Sequence, residues 1–142
     1  FRAGKSGGRI VFICWRGLVE TPWRGAPAAA AFAVVPPPEK PNLGAPGAFS
    51  LADAARVKQV MGDAGFTDIK LSPIDEILNL GELDAALDFM TELGPAAEPL
   101  KEATDEQRIA AIAAMRIAMN NYDTDRGVVM PSAVWLVEAR IP

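Results

Sequence analysis

Apolar residues fall into two kinds of run along this chain. Arg9-Ile10-Val11-Phe12-Ile13-Cys14-Trp15 and Ser132-Ala133-Val134-Trp135-Leu136-Val137-Glu138-Ala139-Arg140 have wholly apolar middles rich in β-branched and aromatic residues. That continuity predicts strands buried on both faces, typical of a parallel sheet between helix layers. Gly7-Gly8 supplies a turn before the first, and Phe66 to Leu71 is a third strand-like run that meets a variable stretch at Pro73. Elsewhere the spacing is helical. Thr21-Pro22 has the form of an N-cap followed by Pro at the first helical position, predicting a helix to about Phe32 that Pro27 would break or kink. Ser50-Leu51-Ala52-Asp53 resembles a capping box and precedes an apolar helical face through Leu51, Val57 and Met61 that Gly65 closes. Leu83, Ala86, Leu87, Met90 and Leu93 mark a further helix stopped by Gly94-Pro95, and a short one is expected to about Glu102. Thr104-Asp105-Glu106-Gln107 is a capping box opening a helix to about Asn120. From Pro36 to Phe49 the density of Pro and Gly predicts a loop, long enough for a lid or an active-site border, and Asn121 to Gly127 reads as a polar turn. The order strand, helix, loop, helix, strand, helices, strand is α/β with a helical insertion before the last strand.

Composition narrows what such a unit does. With 142 residues, 50% apolar and 23% charged, the chain is one ordinary globular unit. A net charge of −4 argues against nucleic acid as a partner, and the absence of His excludes Ser-His-Asp, Cys-His and His-ligated metal schemes. The single Cys14 permits no internal disulfide and suits a reducing, cytoplasmic setting. No apolar stretch approaches the roughly 20 residues of a membrane span, so a membrane is not an expected partner, and no hydrophobic signal core follows Phe1.

Tempting motifs fail on context. Gly4-Lys5-Ser6 resembles the end of a phosphate-binding loop, but a strand follows where a helix is required. Asn121, Asp123 and Asp125 are spaced like calcium ligands, yet Arg126 and Ser132 stand where that loop needs Gly and Glu. Asp75-Glu76, Glu98 and Glu102 read as solvated charges, and no catalytic or metal-binding set emerges. Trp135 reads as core. Trp15, Arg16 and Trp23 sit at element edges near the crevice expected beyond strand ends, where a pocket role and core packing both remain open.

Four segments resemble one family. Gly7-Gly8-Arg9-Ile10-Val11-Phe12-Ile13-Cys14-Trp15-Arg16 is similar to the "P-G-G-R-hydrophobic strand" segment that forms the fifth strand of class I S-adenosylmethionine-dependent methyltransferases, although Lys5-Ser6 stands where that pattern has Pro. Thr21-Pro22-Trp23 resembles the "N-P-W" of a small-molecule branch, Ala64-Gly65-Phe66-Thr67-Asp68-Ile69 its "A-G-F-x-D-I" turn, and Ala133-Val134-Trp135-Leu136-Val137 its terminal "A-V-W-L-V" strand, in the family's order. The resemblance implies a partial Rossmann-like methyltransferase fold. In the family's sheet order, 3-2-1-4-5-7-6 with the seventh strand antiparallel, this chain supplies strands 5, 6 and 7, and its last strand is sandwiched. Residues 1–142 would be the C-terminal part of one domain whose cofactor half is absent, because no Glu/Asp-x-Gly-x-Gly-x-Gly stretch occurs. The start at Phe1 rather than Met fits either removal of an N-terminal segment or an origin in a longer chain, and composition does not separate these. S-adenosylmethionine is then the cofactor of the intact enzyme, with none expected on this portion, and the partner is a small-molecule methyl acceptor. Trp15, Arg16 and Trp23 become candidate acceptor-pocket residues, covered by the Pro-rich loop and the helices from Leu83 to Asn120. The alternative is a non-enzymatic assembly module, a homo-oligomer formed through the edge of the first strand. A hydrolase is the poorest reading, for want of a nucleophile-base pair.

Overall fold

The computed structural model describes residues 4–39 and 46–142. Its packing separates two units, one comprising Phe1–Glu20, Asn42–Asp75 and Ala133–Pro142, the other Thr21–Pro41 and Glu76–Ser132. Strand β1 (Arg9–Trp15) pairs antiparallel with β4 (Gly127–Arg140), Arg9 opposite Arg140 and Trp15 opposite Val134. Strand β2 (Thr67–Asn79) lies on the other side of β4, giving the order β1-β4-β2, and the short β3 (Asp123–Thr124) also pairs with β4. The chain is thus mixed α/β, with its last strand sandwiched as expected.

In the first unit, helix α2 (Ala54–Asp63) covers one face of the sheet. Asp53 caps it, its Oδ1 accepting from the N–H groups of Ala55 at 2.6 Å and Arg56 at 3.2 Å. At the other end the Phe66 N–H donates to the Met61 carbonyl at 3.0 Å and the Gly65 N–H to Gly62 at 2.8 Å, a Schellman closure that needs the left-handed backbone of Gly65 (φ +87°). These two ends aim Val57 and Met61 at Val137 and Ala139 of β4, and Ile10, Phe12 and Cys14 of β1 pack beside them. Full burial of side chains such as Val57 and Val137 contributes about 1.5–3 kcal/mol each.

The second unit is helical, with a hairpin. Helices α1 (Pro22–Phe32), α3 (Leu83–Leu93) and α4 (Ala97–Glu102) all pack on α5 (Asp105–Asn120). Buried Ala28 and Ala31 give α1 a low-relief face, complementary in kind to the buried Met115 and Met119 of α5. The capping box forms as expected, Thr104 Oγ1 accepting from the Gln107 N–H at 3.2 Å and Gln107 Oε1 from the Thr104 N–H at 3.1 Å. Among the described residues no helix is long and apolar enough to cross a membrane.

Several expectations are corrected. Burial of β1 on both faces fails: Ile10, Phe12 and Cys14 pack on the core, but Val11 and Ile13 are 46% and 64% exposed because β1 is an edge strand with one open face. An unbroken apolar run therefore does not prove two covered faces. The ladder between β1 and β4 is antiparallel, as the resemblance implies for the last strand and not as the apolar runs alone suggest. Pro27 neither breaks nor interrupts α1, which stays helical from Pro22 to Phe32. Helix α2 begins at Ala54, not Leu51, because Asp53 rather than Ser50 takes the cap. β2 continues through Pro73 to Asn79, which an edge position tolerates. The polar turn after α5 contains β3, and β4 starts at Gly127 rather than Ser132. Of the loop expected from Pro36 to Phe49, residues 40–45 lie outside the described residues.

Candidate functional site

At the carboxyl end of β1 several polar and aromatic residues of the first unit come together. Antiparallel pairing continues one residue past the strand, the Arg16 N–H donating to the Ala133 carbonyl at 3.0 Å, and this fixes where the Arg16 side chain leaves the sheet. Its guanidinium lies 5.1 Å from the centre of the Trp135 ring, donates from Nη1 to Asp75 Oδ1 at 2.6 Å, and donates from Nη2 to Glu20 Oε1. Hydrogen bonding to Glu20, and then the charges of Glu20 and Asp75, hold the Arg16 pKa above its ordinary value against the opposing effect of burial. Trp135 is itself anchored, Nε1 donating to the Ala52 carbonyl at 2.8 Å. Arg16 is thus engaged on three sides by this chain. That geometry makes it a positioning residue for the strand end.

Trp15, Ile13 and Val134 line one side of a cavity of about 330 Å³, and Gly47, Ser50 and Leu51 line another. Cys14 also lines it; its Sγ donates to the Leu51 carbonyl at 3.4 Å, and burial raises the thiol pKa. Among the described residues no charged side chain lines this cavity, although Arg56 Nε donates to the Ser50 carbonyl in its wall at 3.2 Å. A larger one, about 510 Å³, belongs to the helical unit, where Pro36, Pro37 and Pro38 face Glu98, Pro99 and Glu102. Its carboxylates are solvated surface groups, and Glu98 is already paired with Lys101 at 2.6 Å. The smaller, uncharged cavity at a strand end is the better small-molecule site.

Trp15 and Arg16 therefore lie together at the end of β1. Trp23 belongs to the helical unit, near the start of α1, where it is 7% exposed with the Arg24 guanidinium 5.4 Å from its ring centre. Sequence reasoning missed Glu20 and Asp75 as partners of Arg16. The spacing of four residues from Arg16 to Glu20 was available as a signal; nothing local announces Asp75, 59 residues away. Gly4-Lys5-Ser6 enters a turn in which the Gly8 N–H donates to the Lys5 carbonyl at 2.9 Å, and β1 follows. These residues offer no strand-to-helix glycine cradle of the kind that would hold S-adenosylmethionine, and neither do the other described residues. Among the described residues no group of three His, Cys, Asp or Glu side chains is placed to hold a metal ion. No protein-family model and no curated protein matches the chain.

Proposed function

We propose that this chain is the C-terminal portion of an S-adenosylmethionine-dependent methyltransferase acting on a small molecule, and that it supplies one wall of the acceptor pocket. The observation that carries this reading is the strand order β1-β4-β2, with the last strand inserted antiparallel beside β1. The resemblance implies that arrangement for strands 5, 7 and 6, and the four matching segments occur in that order. The open edge and exposed apolar face of β1 also support it, since a further layer of sheet and helix would cover them. Within this reading Trp15 borders the acceptor, Arg16 fixes the strand end, and the chemistry needs no histidine, because transfer of an activated methyl group depends mainly on proximity and orientation.

The test is the reading frame upstream of the Phe1 codon. It is expected to continue into a strand followed by a Gly-rich turn, and the longer product is expected to bind S-adenosylmethionine in calorimetry where the 142-residue chain does not. A stop codon immediately upstream would overturn the enzyme reading. The open β1 edge would then favour the second reading, an assembly module that pairs through that strand.

A further inference from the structure

The two edges of the sheet are built differently. At one, the Arg16 N–H donates to the Ala133 carbonyl and the Ile141 N–H to the Gly8 carbonyl, so the even-numbered residues of β1 turn their backbone groups toward β4. Val11 and Ile13 turn theirs the other way, where among the described residues no strand pairs, and their exposed side chains stand on the face opposite α2. Arg9 is the only charged residue of β1, lies at its start and is bridged to Glu138 at 3.5 Å. The interior of the strand thus has none of the charges, prolines or bulges that guard an edge. At the other edge, β2 has Pro73, which lacks an N–H, and Asp68, Lys70, Asp75 and Glu76 along its length.

We propose that the unguarded edge takes a second copy of this chain in one register: β1 antiparallel to the partner's β1 about a two-fold axis at Phe12, Val11 opposite the partner's Ile13. An antiparallel ladder sets outward-turned residues against each other, and here that pairs β-branched side chains on one face. With the axis at Phe12 all seven residues of β1 are opposed. Moving it to Val11 or Ile13 leaves two residues of each strand without a partner, and at Val11 it also sets Ile13 against the partner's Arg9. The axis at Phe12 keeps the two Arg9 side chains at opposite ends, about 20 Å apart along the strand, so like charges do not meet. The joined sheet runs β2-β4-β1-β1-β4-β2 and closes on two copies, because each copy's unguarded edge is consumed and only β2 remains outside. The proposal deepens the assembly reading, on which it rests, and is independent of the methyltransferase one.

The register is read by disulfide trapping. Val11→Cys and Ile13→Cys are made in separate chains that also carry Cys14→Ala. Opposed residues of a hydrogen-bonded pair have Cα atoms about 5.5 Å apart, within the span of a disulfide. Like positions are offset by two residues, about 9 Å apart, and are out of reach. Mild oxidation of the mixture should give linked dimers of unlike chains, about tenfold or more above the yield from either variant alone. Sedimentation of the parent chain, which needs no substitution, should reach twice 15.1 kDa and stop there. A parent chain that is monomeric at every concentration overturns the proposal together with the assembly reading. Growth past two copies, or disulfides formed as readily between like variants, overturns the proposal and leaves the assembly reading standing. Neither result touches the methyltransferase reading, which turns on cofactor binding by the longer protein.

Discussion

At the residue scale, two neighbours at the end of β1 are held in their working states by opposite means. Arg16 is held by two carboxylates and an indole face, Nη1 on Asp75 and Nη2 on Glu20 at once, a two-armed geometry that a lysine could not reproduce. Cys14, two residues earlier on the face that packs against α2, keeps its proton because burial penalises the thiolate. Its folded pKa lies above the ordinary thiol value, so the folded form binds the proton more tightly than the unfolded form does. The sign follows from that. The contribution to stability is complete below the unfolded thiol pKa and is lost as pH rises through the folded one. Cys14 should therefore react with a disulfide reagent more slowly in the native chain than in urea at the same pH, with the gap narrowing as the pH is raised. Equal rates at neutral pH would mean that the thiol is not shielded as the structure has it.

At the scale of elements, the turns carry as much information as the strands they join. Gly127 opens β4 with φ +95°, and a Cβ there would lie 2.5 Å from the Gly81 carbonyl oxygen, which itself accepts from the Val128 N–H at 2.8 Å. Gly127→Ala should cost about 2 kcal/mol or more in urea unfolding, because neither backbone can move without breaking that bond. Gly62→Ala, inside α2 with open space at its Cβ, should instead stabilise by about 0.5–1 kcal/mol. If both changes have the same sign, the hairpin is not built as described. These turns also mark what was legible in the chain. Thr104 with Gln107, Gly65 after α2 and Gly94-Pro95 after α3 are short-range signals, and each closes or opens its helix where expected. β3 pairs locally with β4, Asp123 opposite Val128, across a turn without an Asn-Gly signature, whereas the early start of β4 was hidden because it is bonded to Gly81 and Asn79, more than 40 residues upstream, the Asn79 side chain donating to the Arg126 carbonyl at 2.7 Å. The site divides in the same way. Trp15 and Arg16 could be found from their place at a strand end, whereas Asp75 and Leu51 arrive there only through the tertiary fold.

At the scale of the whole molecule, the edge of β1 decides how the chain behaves in solution. The ladder with β4 fixes a parity: Arg16 exchanges with Ala133, so Ile10, Phe12 and Cys14 turn their backbone groups toward β4, while Val11 and Ile13 turn theirs outward. Those same two residues have the exposed apolar side chains, and among the described residues no strand pairs with that side of β1. An edge with both features is a template for another strand. Sedimentation of the 142-residue chain should thus show concentration-dependent association, beginning with a species of twice 15.1 kDa. Ile13→Lys should abolish it by placing a charge where the added strand must lie. Ile117→Lys, at an exposed position on α5 in the other unit, should leave it intact, since a helix face offers no unpaired backbone. On the proposed methyltransferase reading, a chain extended by the N-terminal half which that reading requires should be monomeric with Ile13 unchanged, because its own strand would then occupy the edge. Association that responds equally to both lysine substitutions would locate its cause in general surface hydrophobicity, and the parity of β1 would then explain nothing about it.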